Sequence, residues 1–163
     1  MIVGSQAIHA LYPDPPIDVV VGSREIDVVP LPYPDFEEWF FYVHEHFGAD
    51  SEFDVENGVY IDMVREDVPT LPPDWETRSL ERSLRLKQGG KTVTVVYPEI
   101  HDLLVAKLFA NRPQDEAFLL GVSQIIAVDV ETLRARLESV IVPPALEPKR
   151  EWARACADRI LSA

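Results

Sequence analysis

Glu25 and Asp27 lie two apart in Arg24-Glu25-Ile26-Asp27-Val28-Val29, where charge alternates with Ile and Val in the pattern of a strand. Side chains two apart on a strand face the same way, so the two carboxylates stand together, the arrangement a divalent cation requires. The alternative is an edge strand with solvated acids. Upstream, Gly4-Ser5 follows the short apolar start Ile2-Val3 and leads into a helical stretch. Such a turn offers backbone N–H groups and a hydroxyl to a phosphate. The dipeptide recurs at Gly22-Ser23, so alone it is also an ordinary turn. The order strand, Gly-Ser, helix, then carboxylate-x-carboxylate on the next strand points to nucleotide and metal chemistry.

Asp62 sits inside the apolar run Val59 to Val64, where an acid must be solvated or paired. Beside 25–29 it becomes a third carboxylate, a metal ligand or a base toward an attacking hydroxyl; otherwise it marks a polar outer face. Lys107 is four residues after Leu103 and seven after Ile100, on the apolar stripe of a helix. It must snorkel or meet an anion, and an unbranched apolar Met should be tolerated in its place. Arg112 and Asp115 bracket Pro113 and read first as helix-end caps that complement the dipole, and only second as functional groups. His101-Asp102 reads as a capping pair. His44 and His46 are two apart and share no helix face, which disfavours a histidine metal site.

These residues need a scaffold. With 163 residues, 47% of them hydrophobic, the chain supports one domain over 1–163 with its own core. The expected division is a sheet core over 1–97 and a helical part over 98–163. Ile17 to Val21 and Ile26 to Val29 are apolar runs that form either a hairpin or a loop edge feeding a single central strand, and the strand at 25–29 is favoured. Asp35 caps a helix to about Phe47 that buries an aromatic face, including Phe36, Trp39 and Phe40. Asn57-Gly58 predicts a hairpin between strands at Phe53 to Val55 and Val59 to Val64, and Gly89-Gly90 a second between Leu80 to Leu86 and Thr92 to Tyr97. Pro98 is placed at the first position of a helix stopped by Pro113, and helices follow to about 127, over 130–140 and over 148–161. Strands early and helices late give an α+β class.

Composition narrows the partners. A net charge of −13 opposes general binding to DNA, since a nucleic-acid surface carries a basic excess. The single cysteine forms no internal disulfide, no apolar run approaches a membrane span, and no signal segment is present, which predicts the cytoplasm. The short first strand fits either an earlier natural start or a domain without an N-terminal helix.

Ile2-Val3-Gly4-Ser5-Gln6-Ala7-Ile8, Ser23-Arg24-Glu25-Ile26-Asp27-Val28-Val29-Pro30, Leu71-Pro72-Pro73-Asp74-Trp75 and the block from Pro98 to Leu108 resemble nucleotidyltransferase-fold proteins of the AbiEii toxin type. More narrowly they resemble the small bacterial DUF6036 group, over about residues 2 to 138. The resemblance implies a mixed sheet with helices packed on it. It also implies that Gly4 and Ser5 hold nucleotide phosphates, Glu25 and Asp27 hold Mg²⁺ or Mn²⁺, and Lys107 contacts the NTP. Arg112 and Asp115 match a following Arg-x-x-Asp block, and Asp62 matches a less regular strand acid. The helices that precede the first strand in the family are missing, and Glu25 stands where the wider superfamily more often has Asp.

The reading is a metal-dependent nucleotidyltransferase moving a nucleotidyl group from an NTP to a hydroxyl acceptor such as a tRNA, a protein or a small molecule. A toxin role with an antitoxin partner comes with the resemblance. The rival is a non-catalytic module that binds a nucleotide or a partner, favoured by the short chain, the acidic surface and the uncertain third carboxylate. A phosphatase-like metal hydrolase ranks third, because no histidine cluster accompanies the acids.

Overall fold

Two four-residue strands paired in parallel set the frame. Strand β2, Glu25–Val28, lies between β1, Ile2–Val3, and β3, Tyr60–Met63, antiparallel to the first and parallel to the second. A parallel pair needs a crossover, here made by helices α2, Phe36–Phe47, and α3, Glu52–Asn57. Between β1 and β2 the chain makes a 3₁₀ turn at Ser5–Ala7 and the short helix α1, Ile8–Leu11. After β3 come an antiparallel hairpin of β4, Leu80–Arg85, and β5, Thr92–Tyr97, and then helices α4, Ile100–Ala110, α5, Pro113–Ile125, α6, Val130–Ser139, and α7, Glu147–Leu161. The result is the mixed α+β class, with small sheets and a helical C-terminal part. The computed structural model describes residues 1–12, 14–15, 23–31, 35–87 and 89–161. The expected apolar run Ile17 to Val21 lies outside them.

The first of the two expected hairpins does not form. Residues 53–55 belong to α3: Ser51 accepts a hydrogen bond from the Asp54 N–H (3.2 Å), Glu52 and Asp54 occupy the first turn, and Gly58 ends the helix at φ +70°. A left-handed glycine serves a helix C-terminus as well as a hairpin turn, and the acids after a Ser cap decide for the helix. The second hairpin forms as expected, with Gly89 and Gly90 both at positive φ. Pro98 lies outside its helix, because Glu99 is the N-cap and accepts from the His101 N–H at 3.0 Å.

Two clusters hold these elements. Ile8, Leu103, Leu108, Val122 and Leu137 belong to the main core that α4 to α7 build with α1, and α4 is buried over most of its circumference. A smaller cluster of Met1, Val3 and Val29 anchors the sheet, with Val96 and Trp75 packed on it. The aromatic face of α2 is less buried than expected: Trp39 is 51% exposed, Phe36, Phe40, Val43 and Phe47 are half-buried, and no residue of the helix is fully buried. Among the described residues no helix is long and apolar enough to cross a membrane.

Charged groups lock the clusters together. Asp102 is fully buried and binds Arg78 through Nε at 3.0 Å and Nη2 at 3.2 Å, while Arg136 approaches within 3.1 Å. It is therefore an internal anchor rather than the helix-capping partner of His101. At the sheet, buried Asp54 pairs with Arg24, whose Nε also donates to the Gly58 carbonyl at 3.1 Å, tying the end of α3 to the entry of β2. Removing one partner of a buried ion pair strands the other charge, at about 3–5 kcal/mol. Asp102→Ala is expected to cost about 3 kcal/mol in urea unfolding, the low end because both arginines can reach water; a change below ~1 kcal/mol contradicts the anchor.

Candidate functional site

The parallel register of β2 and β3 puts Asp27 directly opposite Asp62 and Glu25 opposite Tyr60. Period-2 alternation sends Glu25 and Asp27 to one face, and the register adds Asp62 to it. Carboxylate oxygens of Glu25, Asp27 and Asp62 come within 4.8 Å of one another. Gly4 makes room for this cluster. It sits at φ +71°, and a Cβ there would fall 1.7 Å from Asp27 Oδ2, so the glycine is required both by its backbone and by the space the carboxylate fills.

Behind the acids stands a buried network of the opposite sign. Lys107, 4% exposed, donates from Nζ to Ser5 Oγ at 3.1 Å and to Asp115 Oδ1 at 3.0 Å. Its ammonium also lies 5.3 Å from the Phe118 ring centroid. Asp115 further accepts from Arg112 Nε (2.8 Å), Arg112 Nη2 (3.2 Å) and the Arg112 backbone N–H (3.2 Å). Arg112 and Asp115 thus do cap α5 and also link that cap to Lys107. The lysine does not snorkel to water: it meets an anion that the protein itself supplies. Met in its place would leave Ser5 without this donor and Asp115 with Arg112 alone, so the tolerance expected from the apolar stripe does not hold.

The site perturbs its own acids. Burial pushes the Glu25 carboxyl above its ordinary 4.5, and Asp27 and Asp62 add to the rise. Burial likewise raises Asp27 above 3.8, opposed by Lys107 and Arg112. Asp115 is also penalised by burial, but Arg112 and Lys107 together hold it below 3.8. The three acids therefore repel one another when no cation lies between them.

The cluster opens into a cleft of about 620 Å³. Phe36 and Phe40 of α2, stacked with ring centroids 5.5 Å apart, form one apolar wall. Arg65, Lys107, Arg112 and Lys149 bring positive charge to the lining. Arg65 is paired with Asp67, whereas Lys149, on the first turns of α7, has no ion-pair partner among the described residues. Gly4, Glu25, Asp27, Asp62, Lys107 and Arg112 all line this cleft, with Ser5 and Asp115 just behind it. The sequence reading did not single out Phe36, Phe40, Arg65 or Lys149 as site residues. The i, i+4 spacing of the two phenylalanines was visible but read as core, and nothing local marks Lys149.

An acid whose pKa is raised by folding costs stability when ionised. The cost is full above the folded pKa and absent below the unfolded one. Glu25→Gln with Asp27→Asn is therefore expected to raise the metal-free melting temperature near pH 7, and the gain should disappear as pH falls below about 4, through the ordinary carboxylate range. Thermal melts across pH check it; a pH-independent gain, or a loss at pH 7, contradicts the crowding of charges.

A family model described as a nucleotidyltransferase of unknown function (DUF6036) matches residues 2–154. No curated protein and no solved structure matches the chain.

Proposed function

The chain belongs to the DUF6036 nucleotidyltransferase family, and from that premise we propose that it moves a nucleotidyl group from an NTP to a hydroxyl acceptor in the cleft above Glu25, Asp27 and Asp62. The observation that carries the reading is the gathering of those three carboxylates within 4.8 Å at the floor of a nucleotide-sized cleft. An all-oxygen donor set without His or Cys suits Mg²⁺ or Mn²⁺ and not zinc. Glu25 and Asp27 would hold the ion, which would supply positive charge against the charge that develops on the phosphates and the leaving pyrophosphate.

The chain's own groups divide the remaining work. The acceptor oxygen attacks the α-phosphorus, the bond from that phosphorus to the α,β-bridging oxygen breaks, and pyrophosphate leaves with the bonding pair. Asp62 is assigned the proton of the attacking hydroxyl. Gly4 faces the phosphates at the strand-to-helix turn, and the Ser5 hydroxyl holds Lys107 from behind. Lys107 has two of its three N–H bonds committed to Ser5 and Asp115, which leaves one for a phosphate oxygen and fixes the direction in which it points. Asp115 orients both Lys107 and Arg112. Phe36 and Phe40 offer the nucleobase an apolar surface, and Lys149 reaches the triphosphate from the far side as a point charge.

A toxin of the AbiEii type, held in check by an antitoxin, is the physiological setting the resemblance favours. Growth arrest on expression that requires Asp27 would support it.

Incubation with labelled NTPs, Mg²⁺ or Mn²⁺, and separate pools of RNA, protein and small metabolites is expected to give covalent label in one pool together with pyrophosphate. Asp27→Ala should reduce both by at least ~100-fold, beyond the 10–100-fold typical when groups behind a metal ligand are changed. Nucleotide binding without label or pyrophosphate in any pool would identify the non-catalytic module instead. For Lys149→Ala the expected change is about 5-fold weaker NTP binding, on the order of 1 kcal/mol, with the melting temperature unchanged. Wild-type affinity would remove Lys149 from the site.

A further inference from the structure

Ten of the fifteen lysine and arginine side chains are ion-paired to carboxylates. Of the five that have no such partner among the described residues, Lys149 faces the cleft, and the other four, Arg82, Arg85, Lys87 and Lys91, are all on the β4–β5 hairpin. All four are exposed. The hairpin contains one acid, Glu81, and no Asp or Glu occurs from 82 to 98. It therefore carries +3 within a chain of −13, leaving −16 on the remainder. Charge of one sign is thus concentrated on one projecting element and left unneutralised there, although the chain holds 28 acidic residues.

The geometry of the hairpin narrows what could neutralise it. Arg82 pairs across the strands with Val95 and Arg85 with Thr92, and residues three apart on a strand face opposite ways, so the two guanidiniums emerge on opposite faces. Lys87 and Lys91 flank the turn, where the Leu86 N–H donates to the Lys91 carbonyl at 2.8 Å. Exposed Leu84, Leu86 and Val93 add apolar surface between the cations. A flat anionic surface would meet one face of such a ribbon, whereas a flexible strand of phosphates can pass around the tip and reach both. At its base the hairpin is rooted beside the sheet that bears the carboxylates, because Val96 of β5 packs on Met1, Val3 and Val29.

We propose that the β4–β5 hairpin is a docking surface for single-stranded RNA, held by phosphate contacts from Arg82, Arg85, Lys87 and Lys91. As a binding surface it stands on its own charge pattern; its role as the holder of the acceptor hydroxyl rests on the nucleotidyl-transfer reading above. The acidity of the rest of the chain repels phosphates elsewhere, so binding is confined to this element and steeply salt-dependent.

The test uses the full chain with a labelled single-stranded RNA of about 20 nucleotides, read by fluorescence anisotropy without NTP or divalent metal, so that failure of the transfer reading leaves its outcome unaffected. Binding is expected with a slope of log K against log salt of about −2 to −3, the release expected for three to four phosphate contacts. Reversal of all four charges (R82E, R85E, K87E, K91E) should weaken it at least tenfold and flatten the slope, while the swap R82K, R85K, K87R, K91R keeps both. If the reversed hairpin fails to fold, the neutral set R82Q, R85Q, K87Q, K91Q replaces it, with the melting temperature as the check. No RNA binding at about 50 mM salt, or binding that the reversal leaves intact, overturns the proposal and leaves charges that only guard open strand edges. Equal affinity for anionic vesicles or an acidic peptide of matched charge overturns the assignment to a nucleic-acid strand.

Discussion

Three carboxylates held within 4.8 Å of one another repel, and the surrounding fold is what keeps them from separating. Parallel pairing fixes the spacing: Asp27 and Asp62 occupy facing positions in the register, so they cannot part without breaking the β2–β3 ladder. That ladder is short, four residues on each side, and its ends are braced from outside. The Arg24–Asp54 pair and the Arg24 bond to the Gly58 carbonyl clamp the end of α3 to the start of β2, and the small cluster under Val29 carries the other end. On the opposite side the buried Lys107 places positive charge near Asp27 and lowers the cost of ionising it.

Lys107 also explains why the helical part belongs to the site and is more than its support. Its ammonium reaches Ser5 across the join between the N-terminal turn and α4, and Asp115 anchors it from α5. A buried ammonium with one carboxylate and one hydroxyl is well satisfied, and its position is correspondingly rigid. Residues close to opposite ends of the chain therefore converge on one cleft, from Gly4 to Lys149.

Much of this was legible locally. The alternation at 25–28 gave the strand and the shared face of Glu25 and Asp27, Gly89-Gly90 gave the β4–β5 hairpin, and the Pro113 boundary separated α4 from α5. Asp62 could be flagged as an acid in an apolar strand, but its place beside Asp27 depends on register across a crossover of about thirty residues, which no local pattern encodes. Asn57-Gly58 misled because a left-handed glycine ends helices as readily as it turns hairpins, and Ser51 with Glu52 and Asp54 held the deciding information. Asp102 looked like a cap because its partners, Arg78 and Arg136, are distant in sequence. The aromatic residues of α2 showed helical spacing correctly; the error lay in assuming that an apolar stripe must be buried, when part of it walls a cleft. The isolation of the hairpin cations depends on where the other ion pairs form, and those join residues distant in sequence.

The central claim is that the three-carboxylate cleft binds a divalent ion together with a nucleotide. Crystals grown with Mn²⁺ and an α,β-methylene NTP analogue, which cannot release pyrophosphate, test it by anomalous scattering. The account predicts a Mn²⁺ peak on Glu25 and Asp27, beside Asp62, with the triphosphate between the ion and Lys149. A nucleotide bound elsewhere, or a carboxylate cluster with no anomalous peak at saturating Mn²⁺, would contradict it.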